Sequence, residues 1–447
     1  MTDTVQAQAL HPALHLFRSG GAPHLFLANG SQIYAIDEEV REALATAVED
    51  DRRLEWVLED IGVLQPALIG GALPALPPIR SLSLAIAQAC NLACTYCYAS
   101  GGSFGGDQKK MSADVAERSI DLLLSEASTG ERVTIVFLGG EPLANRQVLR
   151  HATEYARRRG AEAGIATAFA ITTNATLVDD SDAAFFAEHR FSVTVSIDGS
   201  AATHDMQRPF RDGRPSYARV LKAVDRLVAH APRLGLHARV TVLPGRIALA
   251  ESLNDLAVAG FTSVGFSPML RSPSGRAEMT EEALGEFLGQ MIDCAQDFEA
   301  AALRAEPHPF ANARTAMVEL HKGTHRPYPC GAGASYLGVS ADGGLYACHR
   351  FNEDPAGSFG SVQSGRSVEV NKSWLDERHV DHQEPCRSCW ARYLCGGGCH
   401  HEVIARGRHA CDYIRGWLDH CLGMYSRIRA ERSDYLDRMC GWAPPHG

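Results

Sequence analysis

Residues 82–97 read LSLAIAQACNLACTYC, an apolar run of strand length followed by three cysteines separated by three and then two residues. A short continuous apolar run of this kind is what a strand buried on both faces looks like. The three thiolates of Cys90, Cys94 and Cys97, carried on one loop, can hold three irons of a [4Fe–4S] cube and leave the fourth without a protein ligand. An iron left open in this way can chelate a small molecule through an amino and a carboxylate group. A zinc site would need a fourth Cys or His close by, and none stands between residues 80 and 150. An electron-transfer ferredoxin would supply four thiolates per cluster.

Outward from this loop the pattern is regular from Ser81 to about Thr280. Strand-like runs recur at residues 82–88, 132–139, 166–174, 191–198, 236–244 and 262–269. Amphipathic helical stretches lie between them, at 112–127, 145–159, 216–230 and 248–260. Strands alternating with helices give βα units and a parallel sheet. Six such units predict an α/β fold built on an open, partial (βα)6 barrel, with the chemistry at the C-terminal ends of its strands. A long helix is expected over 281–305 and another over 412–439. Ahead of the barrel, residues 13–65 read as a small α+β unit, with a hairpin turn at Asn29-Gly30 and then a helical run. The Pro- and Gly-rich stretch 67–80 reads as a linker. From Pro329 the chain turns Gly-rich and carries nine of the 13 cysteines, so residues 330–421 read as a metal-organised region with too few apolar runs to fold on packing alone. The domain boundaries expected are 1–77, 78–310 and 311–447.

Composition narrows the function classes. A chain of 447 residues suits about three domains. Its 45% apolar and 21% charged residues are ordinary globular values, against disorder or a fibrous architecture. No apolar run reaches the ~20 residues of a membrane span, and the first residues, MTDTVQAQALHPAL, lack the basic start and apolar stretch of a secretory signal. A net charge of −10 gives no support to a nucleic-acid partner. An odd number of cysteines in tight C-x-x-C spacings argues for metal ligation in a reducing compartment, the cytoplasm, rather than disulfides.

The first cysteine loop resembles the radical S-adenosylmethionine (SAM) superfamily, whose C-x3-C-x-aromatic-C motif follows the first strand of a partial barrel; Tyr96 fills the aromatic position. The likeness continues strand by strand. Gly139-Gly140-Glu141-Pro142 after the second strand resembles the GGEP motif, where the glycines let the backbone approach the SAM methionine and the carboxylate helps receive its amino group. Thr173-Asn174 after the third resembles T-N-G, with Ala175 where Gly is usual. After the fourth, Ser196-Ile-Asp198-Gly199 followed by His204-Asp205 and Arg208 resembles the S-x-D-G…H-D-x-x-R stretch that contacts SAM ribose and carboxylate. The resemblance implies that a reduced cluster donates one electron into the sulfonium S–C5′ bond, and that the resulting 5′-deoxyadenosyl radical abstracts a hydrogen atom from the substrate, while the protein positions the reactants.

The C-terminal cysteines run Cys330-x12-Gly343-x4-Cys348, then Cys386-x2-Cys389-x5-Cys395-x3-Cys399, then Cys411. This spacing resembles the SPASM domain, a twin auxiliary-cluster module of peptide-modifying radical SAM enzymes. The resemblance implies one [4Fe–4S] cluster on Cys386, Cys389, Cys395 and Cys411 and another on Cys330, Cys348 and Cys399, three clusters in all with the first. Paired zinc sites are the alternative, since C-x2-C by itself suits either metal. Cys421 competes with Cys411 as last ligand, and the Cys330 set lacks an evident fourth thiol, which would leave an iron open to a substrate thiolate. Cys294 reads as a small buried hydrophobe; Cys440 offers no partner. His349, His400 and His401 flank ligands and read as packing around them.

SPASM relatives mostly act on ribosomal peptides, so a precursor peptide with a leader is the expected partner, with flavodoxin or ferredoxin as reductant. The N-terminal unit is placed like a leader-binding element that captures a peptide as an added strand. The strings 327–351 and 386–402 resemble the quinohaemoprotein amine dehydrogenase maturase and related thioether-forming maturases, which join a Cys sulfur to a carbon of another residue. Carbon–carbon or carbon–oxygen crosslinks have the same stoichiometry. Formylglycine formation by an anaerobic sulfatase maturase is the nearest competitor, but that family carries Asp where this chain has His349, and Gln where it has Leu138. An iron–sulfur electron carrier is the alternative outside enzymes, and the ordered SAM motifs argue against it.

Overall fold

The computed structural model describes residues 11–64, 68–69, 76–230, 234–272, 275 and 277–441. Six parallel strands form the heart of the molecule: β4 (Ser81–Ala87), β5 (Arg132–Gly139), β6 (Ala166–Thr173), β7 (Ser192–Ser196), β8 (Leu236–Val242) and β9 (Ser263–Pro268), adjacent in that order. Alternate residues explain their packing. Val133, Ile135 and Phe137 of β5, Val193 and Val195 of β7, and Val240 and Val242 of β8 are buried in one continuous core. The opposite face of each strand carries smaller or polar residues such as Thr134, Ala170, Thr194, Ser196, Thr241 and Ser267, and this face lines the concave side of the barrel. The connecting helices, among them Ala113–Ser125, Arg146–Ala163 and Tyr217–His230, fall within the predicted stretches or overrun them by a few residues.

The sequence pattern misses three things. The N-terminal unit, β1 (Leu14–Ser19), β2 (Ala22–Leu27) and β3 (Gln32–Ala35), is a three-stranded antiparallel sheet with two tight connections. Gly20 and Gly21 make the first with positive φ, and the second is a 3-10 turn over Ala28–Gly30 closed by Ser31 at φ 48°. Asn29-Gly30 thus lies in a turn, but not a two-residue one. Second, the cysteine-rich segment does not stand apart from the barrel. β10 (Tyr336–Val339) pairs parallel to β4, and β11 (Gly344–Tyr346), β12 (Ser358–Ser361) and β13 (Gly365–Arg366) extend the barrel strands into one ten-stranded sheet. Third, this segment has a packed core. Leu337, Val339, Leu345, Phe351, Phe359 and Trp374 are buried together, contributed singly by short elements, which is why no apolar run announces them. Of the predicted linker, residues 67 and 70–75 lie outside the described residues.

The helix Cys411–Cys440 closes the structure, packing on Glu281–Leu303, Ala311–His321 and β1. No helix among the described residues is long and apolar enough to cross a membrane.

Candidate metal centres

The loop after β4 is fixed from both sides. Ala93 N donates to Pro209 O (2.9 Å) and Thr95 N to Gln207 O (2.9 Å), while Gly140 N and Glu141 N donate back to Ala87 O and Ala89 O. A Cβ on Gly140 would stand 2.5 Å from Ala89 O and 2.8 Å from Gly102 Cα, so only glycine lets these backbones meet. Three N–H groups approach the sulfurs: Leu92 N (3.4 Å) and Asn174 Nδ2 (3.6 Å) at Cys90, and an Arg208 Nη at Cys94 (4.0 Å). Burial pushes the Cys90 thiol up to about 12, with Glu141, Cys94 and Cys97 adding to the rise. Metal loading therefore has to displace protons here, which a cation does and an apolar core does not.

The remaining motif residues join one another. The buried Glu141 carboxylate accepts from Thr173 Oγ1 (2.7 Å), Asn174 N (2.8 Å) and Leu143 N (3.1 Å), tying the end of β5 to the end of β6. Desolvation outweighs these bonds and holds it up at about 7. Asn174 turns its amide to Cys90 and Asn91, and Ala175 behind it occupies φ 61°, a left-handed conformation glycine adopts more easily. Asp198 accepts from the Tyr96 hydroxyl, Arg208 Nε (2.7 Å) and Thr241 N (3.0 Å). The Arg208 guanidinium also lies 5.2 Å from the Tyr96 ring centre. His204 supports this group from beneath: Nδ1 accepts from Asp198 N, and Nε2 meets Ser216 Oγ at 3.0 Å. Burial and the Arg208 charge hold it neutral, down at about 4. Asp205 Oδ1 accepts from Ser216 N and Tyr217 N at the start of the next helix, a structural task.

The C-terminal cysteines fall into two neighbourhoods. Cys330 and Cys399 act electrostatically on Cys348, which burial above all pushes up to about 12. An Arg350 Nη donates to Cys399 Sγ (3.8 Å) and to Glu402 (2.6 Å). Cys395, Cys411 and Cys389 act on Cys386, pushed up to about 11 chiefly by burial. The last four and Cys399 line one pocket. Gly396, Gly397 and Gly398 all have positive φ, and the N–H groups of Gly397 and Gly398 point to Cys395, an anion-binding backbone turn. Cys421 is fully buried in its helix, with Asp419 as its charged neighbour. Among the described residues no three His, Cys, Asp or Glu side chains converge on a point that would hold a single metal ion. Thiol donors, N–H groups aimed at sulfur and three separate neighbourhoods suit clusters whose irons lie between the thiolates.

Between the first loop and Cys348 lie residues that motif reading overlooks. Tyr98 follows Cys97, sits 6.0 Å from the His349 ring and has the Arg350 guanidinium 5.0 Å from its ring centre. His349 Nδ1 meets the Tyr336 hydroxyl (2.8 Å), which reaches Ser83 Oγ on β4 (2.7 Å). Arg239 acts on both Tyr98 and His349. The signal for Arg239 was available: it is a charge at an inward position of the alternating run LHARVTVLP.

The N-terminal unit is clamped to the second cysteine loop. His15 stacks on Trp390 (3.9 Å) and reaches Asp419 (2.6 Å), while Arg392 donates to Pro12 O and to Asn29 Oδ1 (2.9 Å). β3 is the sheet's outer strand, and a pocket beside it is lined by Leu27, Asn29, Leu54, Glu55 and Leu58.

A family model described as the radical SAM superfamily matches residues 84–248. The chain is 26% identical over 354 residues to the serine-type anaerobic sulfatase-maturating enzyme of Klebsiella aerogenes, covering 76% of this chain and 85% of that one. It is 30% identical over 154 residues to a cysteine-type anaerobic sulfatase-maturating enzyme of Clostridium perfringens, 34% of this chain and 41% of the other. The fold matches the solved structure of hexahistidine-tagged anSMEcpe with bound AdoMet at a TM-score of 0.68 and 19% identity, over 82% of this chain and 98% of that one. Native anSMEcpe with AdoMet and the Kp18Cys peptide matches at 0.65 and 19%, over 80% and 100%.

Proposed function

We propose that this chain, a radical SAM enzyme, is a maturase that oxidises a residue of a peptide or protein substrate by two electrons. The observation that carries the reading is the meeting of Tyr98 with His349 and Arg350, which brings the first cysteine loop against the Cys348 neighbourhood. Cys90, Cys94 and Cys97 would hold a [4Fe–4S] cluster that binds SAM; Cys330, Cys348 and Cys399 a second; Cys386, Cys389, Cys395 and Cys411 a third. These groups, when bound, would supply the one-electron and radical chemistry. The protein's own contribution is positional. Gly140 lets β5 close against the cysteine loop, Glu141 and Asn174 fix its flank, and the Tyr96–Asp198–Arg208 group presents a buried polar edge beside it. Likeness to sulfatase maturases along most of their length supports a peptide substrate, as does the outer edge of β3, where a leader segment can add as a strand.

For the bond formed, the reading favoured is a thioether from a substrate Cys sulfur to a carbon of another residue. Joining S–H to C–H removes two hydrogens: one would leave as a hydrogen atom to the 5′-deoxyadenosyl radical, the other as a proton and an electron that a cluster held by the auxiliary cysteines would accept. His349 after the second auxiliary cysteine supports this over formylglycine formation; identity to the Klebsiella enzyme supports formylglycine as the second reading. The test is anaerobic incubation of reconstituted protein with dithionite, SAM and Cys-containing peptides. Expected are 5′-deoxyadenosine and a peptide lighter by two hydrogens whose thiol no longer alkylates. A carbonyl product that traps hydrazine favours formylglycine, and absence of 5′-deoxyadenosine rejects the enzyme reading.

A further inference from the structure

Arg239 stands at the middle of β8, opposite Ser196 on β7 and Gly265 on β9. Its side chain belongs to the face turned away from the packed core, which here takes Ala238 and Val240. The other inward positions of the barrel strands are Ser, Thr, Ala, Gly or apolar residues, apart from Arg132 at the first residue of β5 and His237 two residues before Arg239. Gly265 leaves space at its side. Arg239 lines a cavity of about 490 Å³ bounded by Thr194, Ser267, Asn312 and the Cys395–Gly398 turn.

The charges around it are otherwise matched. Arg208 is bound to Asp198 at 2.7 Å and Arg350 to Glu402 at 2.6 Å. Glu319, on the cavity wall, is held by Arg326 at 3.2 Å. Among the described residues the Arg239 guanidinium has no hydrogen bond and no ion pair; its weaker electrostatic neighbours are Tyr98 and Glu402 on one side and Arg350 and Arg208 on the other. Arg239 is exposed to this cavity rather than packed, and the like charges of Arg350 and Arg208 nearby favour an incoming anion. A planar guanidinium with free donors matches a carboxylate through two parallel hydrogen bonds.

We propose that Arg239 binds a carboxylate of the substrate, an Asp or Glu side chain, in this cavity and so selects the residue presented for oxidation. The inference rests on the peptide-maturase reading above. The other source of a carboxylate is SAM itself. Position favours the substrate: none of Cys90, Cys94, Cys97, Asp198 or Arg208 is among the residues lining the cavity that Arg239 enters.

The experiment compares wild-type, Arg239→Gln and Arg239→Lys holoprotein, each checked for iron content. The probe is an equimolar mixture of short capped Cys-containing peptides, alike except for one Asp, Glu, Asn or Gln. Retained peptide is read by mass spectrometry and SAM affinity by equilibrium dialysis. Wild type is expected to retain the acidic peptides roughly 10- to 100-fold over their amides, the range for a charge-assisted hydrogen bond. Arg239→Gln should erase that ratio while SAM affinity holds, and Arg239→Lys should keep part of it. No acidic preference in wild type, or a preference that survives Arg239→Gln, overturns the proposal. A tenfold loss of SAM affinity in Arg239→Gln moves the carboxylate to SAM and overturns it equally. Should Arg239→Gln fail to load iron, the Lys variant carries the comparison: a reduced ratio with unchanged SAM affinity counts for the proposal, an unaffected ratio or weakened SAM binding against it. Failure of wild type to form 5′-deoxyadenosine in a parallel assay sinks the enzyme reading instead, so the two failures are told apart.

Discussion

At the scale of single residues, the motif side chains do more for one another than a list of ligand contacts suggests. Asp198 gathers Tyr96, Arg208 and Thr241, and His204 braces it from behind. Removing one charge of a buried pair leaves the other uncompensated, so Asp198→Asn should cost about 3–5 kcal/mol in denaturant unfolding of the reconstituted protein and weaken SAM binding as well. The pH dependence has a defined sign. His204 is held below its ordinary value, so the unfolded chain binds a proton that the folded one refuses between the usual histidine range and about 4. Stability from this residue is therefore full above pH about 6.5 and falls as the pH drops toward 4. His204→Asn, which keeps an acceptor for Asp198 N, should flatten that fall in unfolding measured from pH 7 to 4; an unchanged slope assigns it to other histidines that burial holds down, such as His349, His400 and His401.

At the scale of elements, the crossing of β5 with the cysteine loop is decided by the absence of side chains. Gly140→Ala places a methyl against the backbone of Ala89 and Gly102, where no rotamer relieves the contact. A loss of more than about 2 kcal/mol is expected, with iron missing from the first site while the auxiliary sites still load, as elemental analysis and absorption spectra would register. The cysteine loops themselves divide by role. Any one of Cys90, Cys94 or Cys97→Ala should abolish 5′-deoxyadenosine formation, because two thiolates do not hold the cluster. Cys386→Ala or Cys389→Ala should spare part of it but stop peptide turnover or lower soluble yield, since bound metal contributes folding free energy.

At the scale of the molecule, the barrel and the cysteine-rich segment share one sheet. β10 lies on β4 with Tyr336 opposite Ser81, so a chain ending at residue 310 would leave β4 an unpaired, largely apolar edge. Such an edge aggregates. The truncated barrel is expected to be insoluble even when iron is supplied, and a soluble, monomeric 1–310 fragment in size-exclusion chromatography would contradict this. The N-terminal unit is tied by Trp390 and Arg392 to the same loop that carries Cys386, Cys389 and Cys395.

The amino-acid sequence alone determined the parallel barrel, because period-two and period-3.6 hydrophobicity is a local property that survives without knowing any contact. It also singled out Cys90, Cys94 and Cys97 as one group, since residues on one loop are fixed by spacing along the chain, whereas the two C-terminal groups, drawn from loops far apart in sequence, were implied by resemblance. Tertiary structure alone decided the sharing of the sheet, the core of the C-terminal segment and the isolation of Arg239. Each depends on residues far apart in the chain, such as Ser81 with Tyr336 or Arg239 with Arg350, and an unpaired charge is visible only once every potential partner has been placed.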